Sequence, residues 1–267
     1  MYNYPRIINL SLPKTGSNSV SKLFTGFGGT HEAEFIKSTN FIMENIKDFT
    51  KKEIVNDFIL NRQNSINSRV DSATFLHFIQ DYLVDIWPDS VYLHILRRPD
   101  EWVISYLNML CNFIISLKKN PNIYIIDWSN KYAKYQFSEL ELQSLINVIE
   151  NKDMLILLLD SFYSYWLDRS YKTNIIVRKC CSSISVKLTD LDQLGPYLAR
   201  AAAVPLFKLP KVNHYNSGMK GNFRYELICD SIKSLSPSLN SFNQANDFYL
   251  DFKRNINLNC KEVIPDE

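Results

Sequence analysis

Arg6-Ile7-Ile8-Asn9-Leu10-Ser11-Leu12, followed by Pro13-Lys14-Thr15-Gly16-Ser17-Asn18-Ser19, decides how the rest of the chain is read. The first seven residues are a short apolar, β-compatible run, the pattern of a buried strand. The next seven are polar and turn-rich. After them Val20, Leu23, Phe24 and Phe27 fall at i, i+3, i+4 and i+7, one face of a helix. Strand, polar loop, helix is the expected opening, a P-loop-like unit. Lys14, a flexible Gly16, the hydroxyls of Thr15, Ser17 and Ser19, and the N–H groups of a helix start together make a cradle for phosphate. The same hydroxyl residues also serve as ordinary helix caps. The loop is not a Walker A sequence, because Lys14 precedes Gly16 and no earlier glycine exists.

Working outward, Gly26, Gly28 and Gly29 end the first helix, and residues 41–65 read as helical. Val70-Asp71-Ser72 reads as a short strand end. Leu76, Ile79, Leu83 and Ile86 mark an amphipathic helix stopped at Trp87-Pro88-Asp89. Val91 to Leu96 is a buried strand, Arg97-Arg98-Pro99-Asp100 a turn, and Val103, Tyr106, Leu107, Leu110, Ile114 and Leu117 the face of another helix. Residues 119–152 look irregular. Met154 to Asp168 is expected to be a helix, Asn174 to Arg178 a later strand, Leu206 to Asn222 a loop, and helices are expected near 223–235 and 243–255. Strands alternating with helices predict the α/β class: a single domain over 1–267 with a central, mostly parallel sheet flanked by helices.

Composition bounds the function. The chain has 267 residues, 46% of them hydrophobic, enough for a large core. Thirty Lys+Arg against 28 Asp+Glu leave a net charge of +2, so no global basic field calls for nucleic acid, and any phosphate contact must be local. No run approaches the ~18 apolar residues of a membrane span. No leader and no preceding regulatory domain are expected. Five scattered cysteines, Cys111, Cys180, Cys181, Cys229 and Cys260, read as buried free thiols in a reducing cytoplasm. No histidine spacing suggests a metal, and His94, mid-strand, reads as a core residue.

In a parallel sheet, ligands gather at the carboxyl ends of strands. Two loops belong there, Pro13 to Ser19 and Arg97 to Asp100. An arginine at a strand end can grip a phosphate bidentately, with Ser105 eight residues on as a neutral donor. Together, P-K-T-G-S-N-S and L-R-R-P-D-E-W-V-I-S-Y resemble the two nucleotide-binding signatures of sulfotransferases that use 3′-phosphoadenosine 5′-phosphosulfate (PAPS). The resemblance implies that Lys14, Thr15, Gly16, Ser17, Asn18 and Ser19 hold the 5′-phosphosulfate, with Asn18 where a hydroxyl residue is usual. It implies that Arg97 and Ser105 hold the 3′-phosphate. Asp71 to Asp89, ending in the Trp87-Pro88-Asp89 turn, resembles the family's segment before the second motif. Leu209-Pro210-Lys211-Val212-Asn213 resembles a late family run ahead of a loop that closes on the nucleotide, here with Ser217, Gly218 and Lys220. That loop lacks the family's R-K-G-x-x-G.

The activity so implied is transfer of a sulfuryl group from PAPS to a hydroxyl or amine of a small-molecule acceptor, leaving 3′-phosphoadenosine 5′-phosphate (PAP). Lys14 would stabilise the leaving group. The acceptor must lose a proton, so a general base is expected. Glu32, Glu34 and His31 all fit, with Asp71 and His77 in reserve. Glu34 ranks first, because Phe35 packing inward would pin it; in an extended segment Glu32 would point to the same side. The 26 asparagines suggest AT-rich bacterial DNA, and with it a natural product or toxin of secondary metabolism as acceptor. The competing readings are a P-loop nucleotide kinase-like enzyme and a non-catalytic module that binds PAPS or PAP.

Overall fold

A computed structural model describes residues 4–45, 52–137, 142–205 and 223–252. Two compact units divide them. The first holds the residues up to Arg97 and those from Arg169 to 205; the second holds Arg98–Asp168 and 223–252.

The first unit is the sheet. In chain order it contains β1 (Ile7–Asn9), α1 (Ser17–Leu23), β2 (Gly29–Thr30), α2 (Phe35–Asn45), α3 (Lys52–Ile66), β3 (Val70–Asp71), a 3₁₀ turn at Thr74–Phe78, α4 (Gln80–Ile86) and β4 (Val91–Leu96). The opening strand, loop and helix are as the sequence predicts. With β5 (Ser183–Lys187) the strands make a five-stranded sheet, all parallel, in the order β2-β3-β1-β4-β5. Ile7 lies opposite both Val70 and Val91, and Leu93 lies opposite Ile184. Because helices cover a parallel sheet, its central strands are largely apolar. Ile7, Val70, Leu93, Ile95, Ile184 and Val186 accordingly form one core with Val20 and Phe24 of the first helix. The predicted helical face of α1 is therefore the face that is buried.

The second unit is helical: α5 (Pro99–Lys119), α6 (Ile123–Phe137), α7 (Leu145–Glu150), the first part of α8 (Lys152–Lys179), and, later in the chain, α10 (Phe223–Leu235) and α11 (Asn240–Asp251). Pro99 begins α5, Asp100 and Glu101 lie in its first turn and Lys118 and Lys119 in its last, all favourable to the helix dipole. Trp102 and Phe162, both fully buried, anchor an aromatic core with Tyr106, Phe137 and Tyr165. The Gln136 amide satisfies its phenols: Tyr106 donates to Oε1 at 2.8 Å, and Nε2 donates to the Tyr165 hydroxyl at 3.2 Å.

Three sequence expectations are corrected here. Residues 119–152 carry α6 and α7 rather than irregular chain. Asn174 to Arg178 is not a strand but the end of the 28-residue α8. The run is β-branched locally, yet the buried positions Leu159, Phe162, Trp166, Ser170, Thr173 and Val177 keep helical spacing straight through it. The Thr173 hydroxyl also donates to Gln80 Oε1 of α4 at 2.9 Å. The strand is β5 (Ser183–Lys187), whose serines disguise it as a polar loop. It is followed by a 3₁₀ turn at Leu188–Leu194 and α9 (Gly195–Ala201). Finally, Cys181 is exposed and not a buried thiol.

The chain doubles back from α1 into β2 so closely that a Cβ on Gly29 would lie 2.5 Å from the Ser21 carbonyl oxygen and 2.7 Å from Phe24 Cβ. Gly29→Ala should therefore cost about 3 kcal/mol of stability by overpacking. Gly26→Ala, with φ of 86° but nothing within 4 Å of its Cβ, should cost only about 1 kcal/mol. Urea midpoints of the two variants measure the difference, and equal losses would refute the close approach.

Candidate active site

β1 has β3 on one side and β4 on the other. The chain leaves β1 for β2 at one edge, and after β4 it reaches β5 at the opposite edge. The connections diverge at this point, and in open parallel sheets ligands bind at such a point, outside the carboxyl ends of the strands, here β1 and β4. The Pro13 to Ser19 loop and Arg97 both lie there.

Polar residues at the strand ends hold the loop. Asn9, the last residue of β1, is buried, so its amide must find partners. Its Nδ2 donates to Ser72 Oγ at 2.8 Å, and its Oδ1 accepts the Ser11 N–H at 3.1 Å. Ser72 Oγ in turn donates to the Ser17 carbonyl at 2.8 Å. Ser11 Oγ accepts the Ile95 N–H of β4 at 2.7 Å. The loop is thus tied to both neighbours of β1. It curls through positive φ angles at Lys14 (65°) and Gly16 (100°). The φ of Gly16 requires glycine, and a Cβ there would also press on Leu188 Cδ1 at 3.0 Å. The Thr15 hydroxyl is turned inward and donates to the Leu12 carbonyl. Ser19 is buried as well.

Arg97 reaches back from the end of β4, and its Nη1 donates to the Lys14 carbonyl at 3.1 Å. Burial first, and then the Arg97 charge, hold the Lys14 ammonium below its ordinary pKa. No carboxylate pairs with Lys14 among the described residues. Two cations meeting in a half-buried loop create a field that favours an anion. Ser105 lies on α5, in the second unit. Ser217, Gly218 and Lys220 lie outside the described residues, as does the run from Leu209 to Asn213.

The segment after β2 departs from expectation. An extended chain would turn Glu32 and Glu34 to one side. Instead both residues are left-handed, each with φ of 54°, and their side chains part. Glu34 turns to α3 and α2, accepting from Ser65 Oγ at 2.7 Å and Lys37 Nζ at 3.2 Å. The Ser65 hydrogen bond, and then Lys37, hold its carboxyl below the ordinary value. Glu32 turns inward. Its Oε1 accepts the Thr74 N–H at 3.0 Å and lies 3.7 Å from His31 Nε2. Its Oε2 is buried without a hydrogen-bond partner. Burial dominates and pushes the Glu32 pKa up to about 7, with Asp71 adding to the rise. His31 Nε2 is also hydrogen-bonded to Ser17 Oγ at 3.2 Å, which links this segment to the phosphate loop. Burial, and then Lys22 and Lys14, lower the His31 pKa, so its imidazole is neutral at pH 7.

The reserve bases are engaged elsewhere. Asp71 is locked in a buried ion pair with Arg62. His77 is buried against the Thr74 carbonyl, and its pKa is pushed down to about 3 by burial and Arg169. His94 is buried in β4, as its mid-strand position predicts. Among the described residues no group of three His, Cys, Asp or Glu could hold a metal ion, and no helix is long and apolar enough to cross a membrane. Asn9, Ser72, Thr74 and Arg62 escape the sequence reading. A polar residue closing a buried strand is a signal that could have found Asn9; nothing local distinguishes Arg62.

No family model and no curated protein matches the chain. Among solved structures it is similar to a sulfotransferase from Alicyclobacillus acidocaldarius, at 10% identity and a TM-score of 0.49, over 92% of this chain and 96% of that one.

Glu32 makes stability depend on pH. A carboxyl that keeps its proton to about pH 7 when folded, against 4.5 ordinarily, contributes stability that is fully present below about pH 4.5 and lost as pH rises through 7. Glu32→Gln should therefore gain on the wild type between about pH 4.5 and 8, by on the order of 2 kcal/mol. Denaturant titrations at the two pH values check this; a pH-independent difference would show that Glu32 titrates normally.

Proposed function

We propose that the chain is a PAPS-dependent sulfotransferase that acts on a hydroxyl or amine of a small molecule, with a natural product as the favoured acceptor. The observation that carries the reading is the meeting of Lys14 and Arg97 at the carboxyl ends of β1 and β4, on loops whose sequences resemble the family's two signatures. The residue types fit the ligand: an uncompensated lysine, an arginine and a curled backbone loop suit a phosphate-rich nucleotide.

PAPS supplies an activated sulfuryl group on a phosphate leaving group. The acceptor atom forms a bond to sulfur as the bond from sulfur to the bridging oxygen breaks, and the electron pair stays on the phosphate of PAP. Lys14 stabilises the charge that develops there. The acceptor proton goes to Glu32, whose raised pKa matches a base working near neutrality. Glu32 replaces Glu34 as first choice, because Glu34 is already bound to Ser65 and Lys37. His31, neutral and between Glu32 and Ser17, orients the acceptor or relays its proton. Arg97 holds the 3′-phosphate.

PAP should raise the melting temperature, and ATP with magnesium should not; mass action gives ~2.7 kcal/mol at a hundredfold excess over Kd. Arg97→Ala should weaken PAP binding by about 10- to 150-fold, a lost charged hydrogen bond, and adenosine 5′-phosphosulfate binding far less. Stabilisation by ATP alone would favour the kinase-like reading. Equal losses for both ligands would remove Arg97 from the 3′ position.

Turnover with an acceptor panel separates an enzyme from a binding module. Lys14→Met should lower kcat more than it raises the KM for PAPS. Glu32→Gln should lower kcat by about 10²- to 10⁴-fold, with PAP still bound, whereas Glu34→Gln should stay near wild type. An unaffected Glu32→Gln variant would pass the role of base to His31.

A further inference from the structure

Between Glu32 and Glu34 lies Ala33, flanked on both sides by left-handed, non-glycine residues. Each such residue carries a conformational cost of about 1–2 kcal/mol, and two of them so close together persist only where the surroundings impose them. One group does so here. Arg62, on α3, is buried, and its Nη2 donates to the Ala33 carbonyl at 3.1 Å. The guanidinium is itself immobilised. It forms a two-pronged pair with the Asp71 carboxylate of β3 and lies over the Phe75 ring, 4.8 Å from its centroid. Asp71 Oδ1 also accepts the Ala73 N–H at 3.3 Å, one residue before the Thr74 N–H that binds Glu32. The planar fork therefore spans two segments, β3 with its following turn and the 31–34 loop. Both segments supply the surroundings of Glu32.

We propose that Arg62 is a positioning residue for Glu32: paired with Asp71, it grips the Ala33 carbonyl and holds the loop in the one conformation that turns Glu32 to the Thr74 amide and Glu34 to Ser65. This rests on the reading of Glu32 as the base, but the clamp can be measured without turnover. A lysine cannot replace the arginine, because an ammonium lacks the fork that bonds Asp71 and Ala33 at fixed angles. The charged and titratable groups facing Glu32 are Arg62 from α3, Asp71 from β3 and His31 from its own loop; Lys14 and Lys22 act on His31.

The test is Arg62→Lys, which keeps every charge. Two readouts are followed in the unliganded protein: the carboxyl titration of Glu32 by ¹³C NMR, assigned with Glu32→Gln, and hydrogen exchange at the Thr74 amide. If the clamp holds the loop, Glu32 becomes solvated. Its titration then falls from about 7 toward 4.5, and the Thr74 amide exchanges at least about tenfold faster, while the β4 amides stay protected. In turnover, kcat falls by about 10²-fold, as for a misplaced catalytic group. A purely structural arginine would lower stability and leave the Glu32 titration and Thr74 exchange unchanged, which would overturn the proposal. If Arg62→Lys does not fold, Arg62→Met with Asp71→Leu replaces the buried pair by apolar side chains, a change folds commonly tolerate; Thr74 exchange is then the readout, and retained protection again overturns it. The two readings fail separately. Full turnover by Glu32→Gln removes Glu32 as base and leaves the clamp standing if Arg62→Lys still frees Thr74.

Discussion

The buried amide of Asn9 has nowhere to hydrogen-bond except to the segments on either side of β1. A polar group sealed in a sheet must be satisfied or cost on the order of 1–3 kcal/mol. By bonding Ser72 and Ser11 it joins β1 to the segment after β3 and, through Ser11 and the Ile95 N–H, to β4. Ser72 then holds the Ser17 carbonyl where α1 begins. The start of the helix, the curl at Lys14 and Gly16, and the reach of Arg97 are all positions relative to this short polar relay. The apolar core beneath it supplies most of the free energy, but burial is non-directional, and the relay fixes where the loop lies.

Charge around the loop is arranged in two halves. Lys14, Lys22 and Arg97 form the positive half, and their charges add to burial in lowering the pKa values of Lys14 and His31. The negative half is small and buried: Asp71 is neutralised by Arg62, and Glu32 is left with a proton affinity near neutrality. His31 stands between them, 3.2 Å from Ser17 and 3.7 Å from Glu32. A cluster of cations is thus separated by one imidazole from a carboxyl whose proton affinity lies near neutrality. The proposed transfer from an anionic donor to a protic acceptor would use that juxtaposition, each half stabilising a different part of the charge redistribution.

Much of the fold was legible because strong local patterns agreed with the tertiary outcome. The strand, loop and helix from Arg6 to Phe27 carry a clean period, and so do Val91 to Leu96 and the face of α5. The strand expected at Asn174 to Arg178 failed because a short β-branched run reads alike in a strand and in a buried helix turn. Ser183–Lys187 was passed over because two serines are buried in a strand that β4 pairs along its whole length.

The placement of Lys14, Gly16 and Arg97 on loops at the carboxyl ends of β1 and β4 was legible in the sequence alone, since residue type and spacing along a strand–loop–helix unit fix it. The choice between Glu32 and Glu34 was not. Two carboxylates two residues apart are equivalent on paper, and they differ only because both adopt left-handed backbone and turn apart. That conformation is imposed by Arg62, close to 30 positions further along the chain, gripping the Ala33 carbonyl while locked to Asp71. Local propensity contains no term for such a contact. It comes into being only when α3 and β3 pack, and hydrogen-bond satisfaction then draws Glu32 to the Thr74 amide and Glu34 to Ser65.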